Sequence, residues 1–439
     1  LGNFTIPGKV TTLGNSAFYG CGMSEISIPE SVSETGESCF AGCSKLETVT
    51  VSGGAIGVSA FENCKGMSSL TLENVTSINY KAFKGCAMLK SVTIPDSVTE
   101  IFGYSYSSDY GAFQGCVNLE TVTIGNGLHT IGKEAFKGCT NLTLLTLGEN
   151  VNTIGTSAFS GCASLGNFTI PGKVTTLGNS AFYGCGMSEV SVPESVSEIG
   201  ESCFAGCSKL ETVTVSGGAI GVSSFENCKG MSSLTLENVT SINYKAFKGC
   251  TMLKSVTIPD SVTEILGYSY SSDYGAFQGC TNLKTVTFGK KLNTIGKEAF
   301  KGCTSLTAID IPDNVTAIEV NAFSGTSLNS ATVRSKICTI ADGKMTLPVT
   351  QDGTIYGLAD SYVQQYAETN GYTFALAGDQ PVTPPVSSDG DAYDAGDLDG
   401  NGTVNAMDAA IILQYAAEAG AGSFTGTMTE YLKEKGYRS

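Results

Sequence analysis

The stretch "DLDGNGTVNAMD" at 397–408 is the part of this chain best equipped for chemistry. Asp397, Asp399 and Asn401 offer side-chain oxygens at positions 1, 3 and 5 of a twelve-residue loop. Thr403 contributes its carbonyl, Asn405 acts directly or through water at position 9, and Asp408 closes the loop. Gly402 makes the sharp turn, and hard oxygens at this spacing suit calcium, the expected cofactor. Two other reactive residue types need weighing: sixteen cysteines and one histidine.

Their meaning depends on the elements that carry them. "AFYGC" at 17–21 recurs with small changes through the chain, and its phenylalanine marks the period. The series runs from Phe18 through Phe40, Phe61, Phe83, Phe113 and Phe136 to Phe159, then restarts at Phe182 and ends at Phe323. Steps are 21 to 23 residues with one of 30 in each half, and each second-series phenylalanine lies 164 residues after its counterpart. Fourteen units thus arise from a duplicated block of seven. Because 1–30 reappears as 165–194 inside the array, the first residue falls within a repeat, and an export signal is expected upstream.

One unit, "GCTNLKTVTFGKKLNTIGKEAFKGC" (279–303), shows the local structure. "KTVTF" alternates with period two and predicts a strand, "LNTIG" a second short extended piece, and "KEAFKGC" a tight helical turn closed by glycine. Val286, Phe288, Leu292, Ile295, Ala299 and Phe300 are expected to point inward. A single unit cannot cover its own apolar face, but stacked units can, which is solenoid logic. Fourteen coils at the parallel strand spacing make a rod of roughly 70 Å.

These repeats resemble the BspA-type leucine-rich repeats of bacterial surface proteins over about 1–334. The expected fold is therefore mainly β: a leucine-rich-repeat solenoid of about fourteen 21–30-residue coils in two tandem seven-coil blocks, plus a small α-helical calcium-binding module at the C-terminus. The resemblance implies an extracellular or bacterial cell-surface binding protein, with a host matrix protein or glycan as partner of the array.

Thirteen of the cysteines share one repeat position, Thr326 fills it in the last unit, Cys39 and Cys203 replace the alanine before phenylalanine, and Cys338 lies beyond the array. Stacking in register sets neighbouring Cβ atoms about 4.8 Å apart, whereas a disulfide prefers about 3.8 Å. They read as buried thiols serving as small hydrophobes, a usage that suits an anaerobic habitat. No CxxC occurs, and His129 becomes Asn293 in the second block. Acid–base or nucleophilic catalysis finds no constellation here, so no enzyme is expected. Thr50, Thr71, Thr93 and Thr123, with Thr214, Thr235, Thr257 and Thr287, form outward rows that read as strand propensity or as a hydroxyl-lined surface.

The two 30-residue units carry "GYSYSSDYG" at 103–111 and 267–275. Tyr104, Tyr106 and Tyr110, and Tyr268, Tyr270 and Tyr274, are the candidate ligand-binding residues. Insertions in solenoids fall on one face, and tyrosine joins a flat apolar ring to a polar tip. The copies lie seven coils apart, roughly 34 Å, so one long ligand could touch both.

The array is followed by a capping segment at 335–378, where a strand, an amphipathic helix bearing Val363, Tyr366 and Ala367, and a strand are expected. Residues 379–394 read as a Pro-, Ser-, Gly- and Asp-rich linker. At 395–439 the EF-hand-type loop and the following "DAAIILQYAAE" resemble a dockerin, which implies a cohesin-like scaffold domain as partner. One loop stands where a dockerin has two, and "FTGTMTEYLKEKG" follows, with Thr427 and Glu430 as a capping box. A calcium-dependent folding module therefore stays open as an alternative, as do a subunit of a polysaccharide-degrading complex and a plain structural spacer. A net charge of −16 opposes nucleic acid and anionic membrane surfaces, and no apolar run is long enough to span a bilayer.

Overall fold

The computed structural model describes residues 3–379, apart from 105 and 269–271. Leu1–Gly378 form one compact unit built from parallel coils. Most coils contribute a strand of three or four residues to one side and a strand of two to four residues to another, while the coils of Thr12–Leu13 and Thr176–Leu177 contribute only the short one. The shorter strands pair into a single fifteen-stranded parallel sheet from Thr12–Leu13 to Thr339–Ile340. The longer ones form five separate sheets. Most of the longer strands alternate: in Glu25–Ile28 the isoleucines are buried and Glu25 and Ser27 exposed, and register pairs like with like, as Val49 with Leu70, whereas Val75–Ile78 in the long sheet is buried only at its two ends. All six residues assigned inward in the 279–303 unit are buried.

The third side is the phenylalanine turn. Phe40 through Phe323 are fully buried, and from Phe18 onward successive rings stack with centroids 5.0 to 5.4 Å apart and planes within 14°. Offset stacking at this distance adds to the burial of each ring. The helical turn expected at "KEAFKGC" is not formed. Glu298 two residues before Phe300, and Gly302 two residues after, have φ of 58° and 73°. Left-handed residues at both places interrupt a right-handed helix. Backbone N–H groups then alternate in direction. Ala299 and Lys301 donate within the turn, while Phe300 donates to the Ala322 carbonyl of the next coil at 2.7 Å. Every second amide thus ties one coil to its neighbour.

The thiols complete that ladder. Cys139 Sγ donates to the Phe113 carbonyl at 3.3 Å, Cys162 to Phe136, and the same bond repeats from Cys43 to Cys303. A cysteine therefore fills a small apolar slot and donates a weak hydrogen bond to the preceding coil. Fifteen of the sixteen are buried, with Cys21 half-buried. Burial pushes the Cys39 thiol up to about 11 and the Cys116 thiol up to about 12.

Pairing continues past 334. Thr339–Ile340 extends the fifteen-stranded sheet, and Thr354–Gly357 and Thr373–Leu376 add in parallel to Ser330–Val333. The Phe323 N–H donates to the Thr346 carbonyl, so Thr346 and Leu347 stand where Ala and Phe stood in earlier turns. The helix Tyr362–Asn370 then closes the stack with Val363, Tyr366 and Ala367 buried, as the sequence indicates. Ser361 caps its start and Gly371, at φ 72°, its end. Leu347 N–H has no further coil to meet and donates instead to the Tyr366 hydroxyl at 3.1 Å. That hydroxyl donates in turn to the Gly343 or Lys344 carbonyl. Burial pushes the phenol up to about 12. Tyr366→Phe is expected to cost about 1–3 kcal/mol in urea unfolding, the penalty of one orphaned buried amide. A loss below about 0.5 kcal/mol would mean that the ladder does not end on this hydroxyl.

Candidate functional site

The two seven-residue insertions interrupt an otherwise uniform corner between the fifteen-stranded sheet and the phenylalanine turns. The position three residues before each phenylalanine forms a column there. In the coil carrying the insertion it is Tyr110, and in the coil before it is Tyr80. The insertion folds Tyr104 over both: its ring lies 5.3 Å from Tyr80 and 4.8 Å from Tyr110. Tyr80 and Tyr110 meet edge-on at 5.8 Å. Tyr106 reaches beyond the cluster with 93% of its surface exposed, and its ring is 6.1 Å from Tyr104. Lys81 Nζ sits over the Tyr110 ring at 4.2 Å, a cation–π contact.

The second block repeats the arrangement. Tyr268 lies 5.2 Å from Tyr244 and 5.0 Å from Tyr274, and Lys245 covers the Tyr274 ring at 4.0 Å. Tyr270 lies outside the described residues. Of the six candidate tyrosines, then, five are described, and each insertion brings its own together. Tyr80 and Tyr244 were not among the sequence candidates, because they sit in ordinary 22-residue units. Only their place three residues before phenylalanine, the same as Tyr110 and Tyr274, could have flagged them.

A buried carboxylate holds each insertion. Glu134, one coil further on, is only 3% exposed. Its Oε2 accepts the backbone N–H groups of Asp109 and Tyr110 at 2.6 and 3.2 Å, and its Oε1 pairs with Lys137 at 2.7 Å. Burial pushes this carboxyl up, but Lys137 and the two amides outweigh it and leave it below the usual range. Asp109 takes a left-handed φ of 79°. Its carboxylate binds Lys84 at 2.6 Å and Gln114 at 2.8 Å, and Lys84 holds its carboxyl below the ordinary carboxylate value. Gly111 must lack a side chain, since a Cβ there would collide with the Glu134 carbonyl. In the second copy the Asp273 N–H donates to Glu298 at 2.6 Å and Lys301 bridges both acids.

The loop is therefore preorganised from beneath. Glu134→Gln removes the charge from two amide contacts, each worth about 1.5–3 kcal/mol when charge-assisted. Amide hydrogen exchange at 103–111 is expected to rise roughly ten- to a hundredfold while the phenylalanine turns stay protected. Acid acts in the same direction. A carboxyl depressed in the folded state stabilises it above its unfolded value near 4.3 and loses that contribution as pH falls through the folded value. Exchange at 103–111 should accordingly rise below about pH 4. Equal protection at pH 3 and pH 7 after correction for intrinsic exchange would contradict this.

The calcium-loop residues Asp397, Asp399, Asn401, Thr403, Asn405 and Asp408 lie outside the described residues. Among the described residues no group of acids, cysteines and histidine is arranged to hold a metal ion. No helix there is long and apolar enough to cross a membrane.

Parallel coils with a buried phenylalanine turn and a leucine or methionine two or three residues after each repeat-position cysteine define a leucine-rich-repeat solenoid. The chain belongs to the BspA-type leucine-rich repeat family: the family's six-copy region matches residues 1–111, 107–219, 155–275 and 218–345. A leucine-rich repeat protein from Bacteroides ovatus is 27% identical, with a TM-score of 0.57 over 84% of this chain and 87% of its own. A leucine-rich cell surface protein from Faecalibacterium prausnitzii is 23% identical, with a TM-score of 0.39 over 82% of this chain and 89% of its own. The pneumococcal vaccine antigen PcpA is 16% identical, with a TM-score of 0.38 over 85% and 88%. No curated protein matches the sequence.

Proposed function

We propose that this chain is an adhesin-like binding protein of the bacterial surface, without catalytic activity, in which the solenoid presents the two tyrosine clusters to a host matrix protein or glycan. The observation that carries the reading is the clusters' construction. Each joins at least three tyrosines from two coils, with a lysine over one ring and a buried glutamate beneath. Rigid aromatic surface is what protein hot spots and sugar platforms require. Duplication seven coils apart adds avidity for a long ligand.

Attachment is assigned to 395–439. The loop at 397–408 is an all-oxygen donor set with calcium spacing, followed directly by an apolar helix-forming stretch. That order supports a dockerin-like module that binds a cohesin-like scaffold. It also supports a second reading, a non-catalytic subunit of a polysaccharide-degrading complex whose repeats hold the glycan.

Alanine at Tyr104, Tyr106, Tyr110, Tyr268, Tyr270 and Tyr274 tests the first reading on a panel of matrix proteins and polysaccharides, with and without calcium. Loss of about 1–3 kcal/mol per cluster in the affinity of a captured ligand is expected. Undiminished binding across the panel would remove the clusters from the function. Calcium-dependent capture by an immobilised cohesin would favour the second reading.

A further inference from the structure

The corner between the cysteines and the longer strands is separate from the tyrosine corner, and at the start of the second block it holds a groove of about 460 Å³. A shortened coil makes it. Met187 follows Cys185 by two residues, where Leu210 follows Cys207 by three. A Cβ at Gly186 would lie 2.3 Å from the Ala163 carbonyl oxygen, so only glycine lets this coil sit so far in. Asn167 is fixed against it: its Oδ1 accepts the Ser188 and Glu189 N–H groups at 2.8 and 3.1 Å, and its Nδ2 donates to Ser188 Oγ at 3.1 Å. Ser208, Lys209 and Glu211 line the groove as well, and no apolar side chain does.

From the groove onward the corner is basic, in a chain whose net charge is −16. Between cysteine and strand, four consecutive coils carry Lys209, Lys229, Lys254 and Lys284 against a single acid, Glu211. All five side chains are exposed, and none of the lysines is ion-paired among the described residues. The next outward residues, Thr212, Ser233, Ser255 and Thr285, are neutral and offset nothing. Lys254 and Lys284 are direct neighbours, since the Lys284 N–H donates to the Lys254 carbonyl at 2.8 Å. At the same place the first block sets Lys90 beside Glu120, joined by the same backbone bond at 2.7 Å. Opposite charges one coil apart, about 4.8 Å, attract, and like charges there are destabilising. The second block thus replaces a favourable pair by a repulsive one, a cost that an anion between the two lysines removes.

We infer that this corner of the second block binds an anionic polysaccharide, bearing carboxylate or sulfate groups, that lies along the lysines and enters the groove. The lysines supply a local positive field against the acidic remainder of the chain. A ligand anion between Lys254 and Lys284 turns their repulsion into a shared contact. The groove selects a sugar over an acidic polypeptide. Its amide and hydroxyl groups can donate to and accept from sugar hydroxyls, and it offers no apolar side chain to a peptide residue. Glu211, two coils before Lys254, meets the sugar as an acceptor of hydroxyl protons, clear of the anion seat.

The full-length chain is tested for retention on beads coated with polygalacturonate or dextran sulfate, with uncharged dextran and polyglutamate beads beside them. Retention on polygalacturonate, dextran sulfate or both is expected, and the pattern names the anionic group. Binding should vanish in about 1 M salt, where the screening length falls to about 3 Å. Lys254→Glu with Lys284→Glu should weaken retention at least about tenfold. Lys284→Glu alone restores the first block's pairing, so it should weaken binding while the melting temperature stays level or rises, which separates lost contact from lost fold. Ser208→Leu should weaken retention on the polysaccharide by closing the groove. The six-tyrosine alanine variant should be retained like the parent, which separates this corner from the tyrosine clusters. Failure of the parent chain to bind either anionic polysaccharide, equal retention on uncharged dextran or on polyglutamate, or undiminished binding by the double glutamate variant would overturn the inference.

Discussion

Phe136→Ala is expected to destabilise the solenoid by about 3–5 kcal/mol. The ring is fully buried, stacked 5.1 Å from Phe113 and 5.3 Å from Phe159. Its removal leaves a void that cannot collapse. The rings on either side are held by their own turns, and the backbone ladder keeps the coil spacing. A solenoid couples each unit chiefly to its neighbours, so the damage should be local in space yet global in consequence. The urea transition is expected to split, with the coils before and after the void unfolding in separate steps. Phe18→Ala should cost less, because Phe18 is only partly buried. Unfolding monitored by circular dichroism checks both, and a Phe136→Ala loss under about 1 kcal/mol would show that the stack is not what joins the coils.

The second large effect concerns calcium. Asp397→Ala with Asp399→Ala removes two of the three carboxylates in the loop and should lower calcium affinity by roughly two orders of magnitude or more. If 395–439 is the calcium module proposed above, its length of about 45 residues makes metal binding a source of folding energy. Titration calorimetry on the full chain should show binding in the parent and none in the variant at matched concentration. With chelator, residues 395–439 should become protease-sensitive while the solenoid's melting stays unchanged, since no metal-holding group occurs among the described residues. No calcium heat in the parent chain, or equal heat in the variant, would refute the assignment of the loop.

Much of this architecture is written in the period of the phenylalanines and in the alternation of the strands. Leu292, Ile295, Ala299 and Phe300 follow directly from that pattern, and each is buried. The turn type does not follow from it. "KEAFKGC" has the composition of a helical turn, and only the adjacent coil, accepting every second amide, makes the left-handed alternative favourable. The cysteines were legible as buried small residues, but not as donors to the phenylalanine carbonyl one coil earlier. At the tyrosine site the insertions announce themselves by length. Their partners Tyr80 and Glu134 do not, since both occupy regular repeat slots and become special only by facing an insertion.

The end of the array shows the same division. Leu347 has no phenylalanine-turn signature, yet it occupies the phenylalanine position of a fifteenth turn, and Tyr366 ends the ladder by accepting its amide. By itself the sequence determined the class of fold, the number of its phenylalanine turns, the inward face of the 279–303 coil and the placement of the two insertions. All of these are set by contacts within a unit or by exact repetition of it. Tertiary structure alone decided where amides, thiols and buried carboxylates find their partners. The partners on neighbouring coils lie 19 to 33 residues away, at distances fixed by how one coil seats on the next.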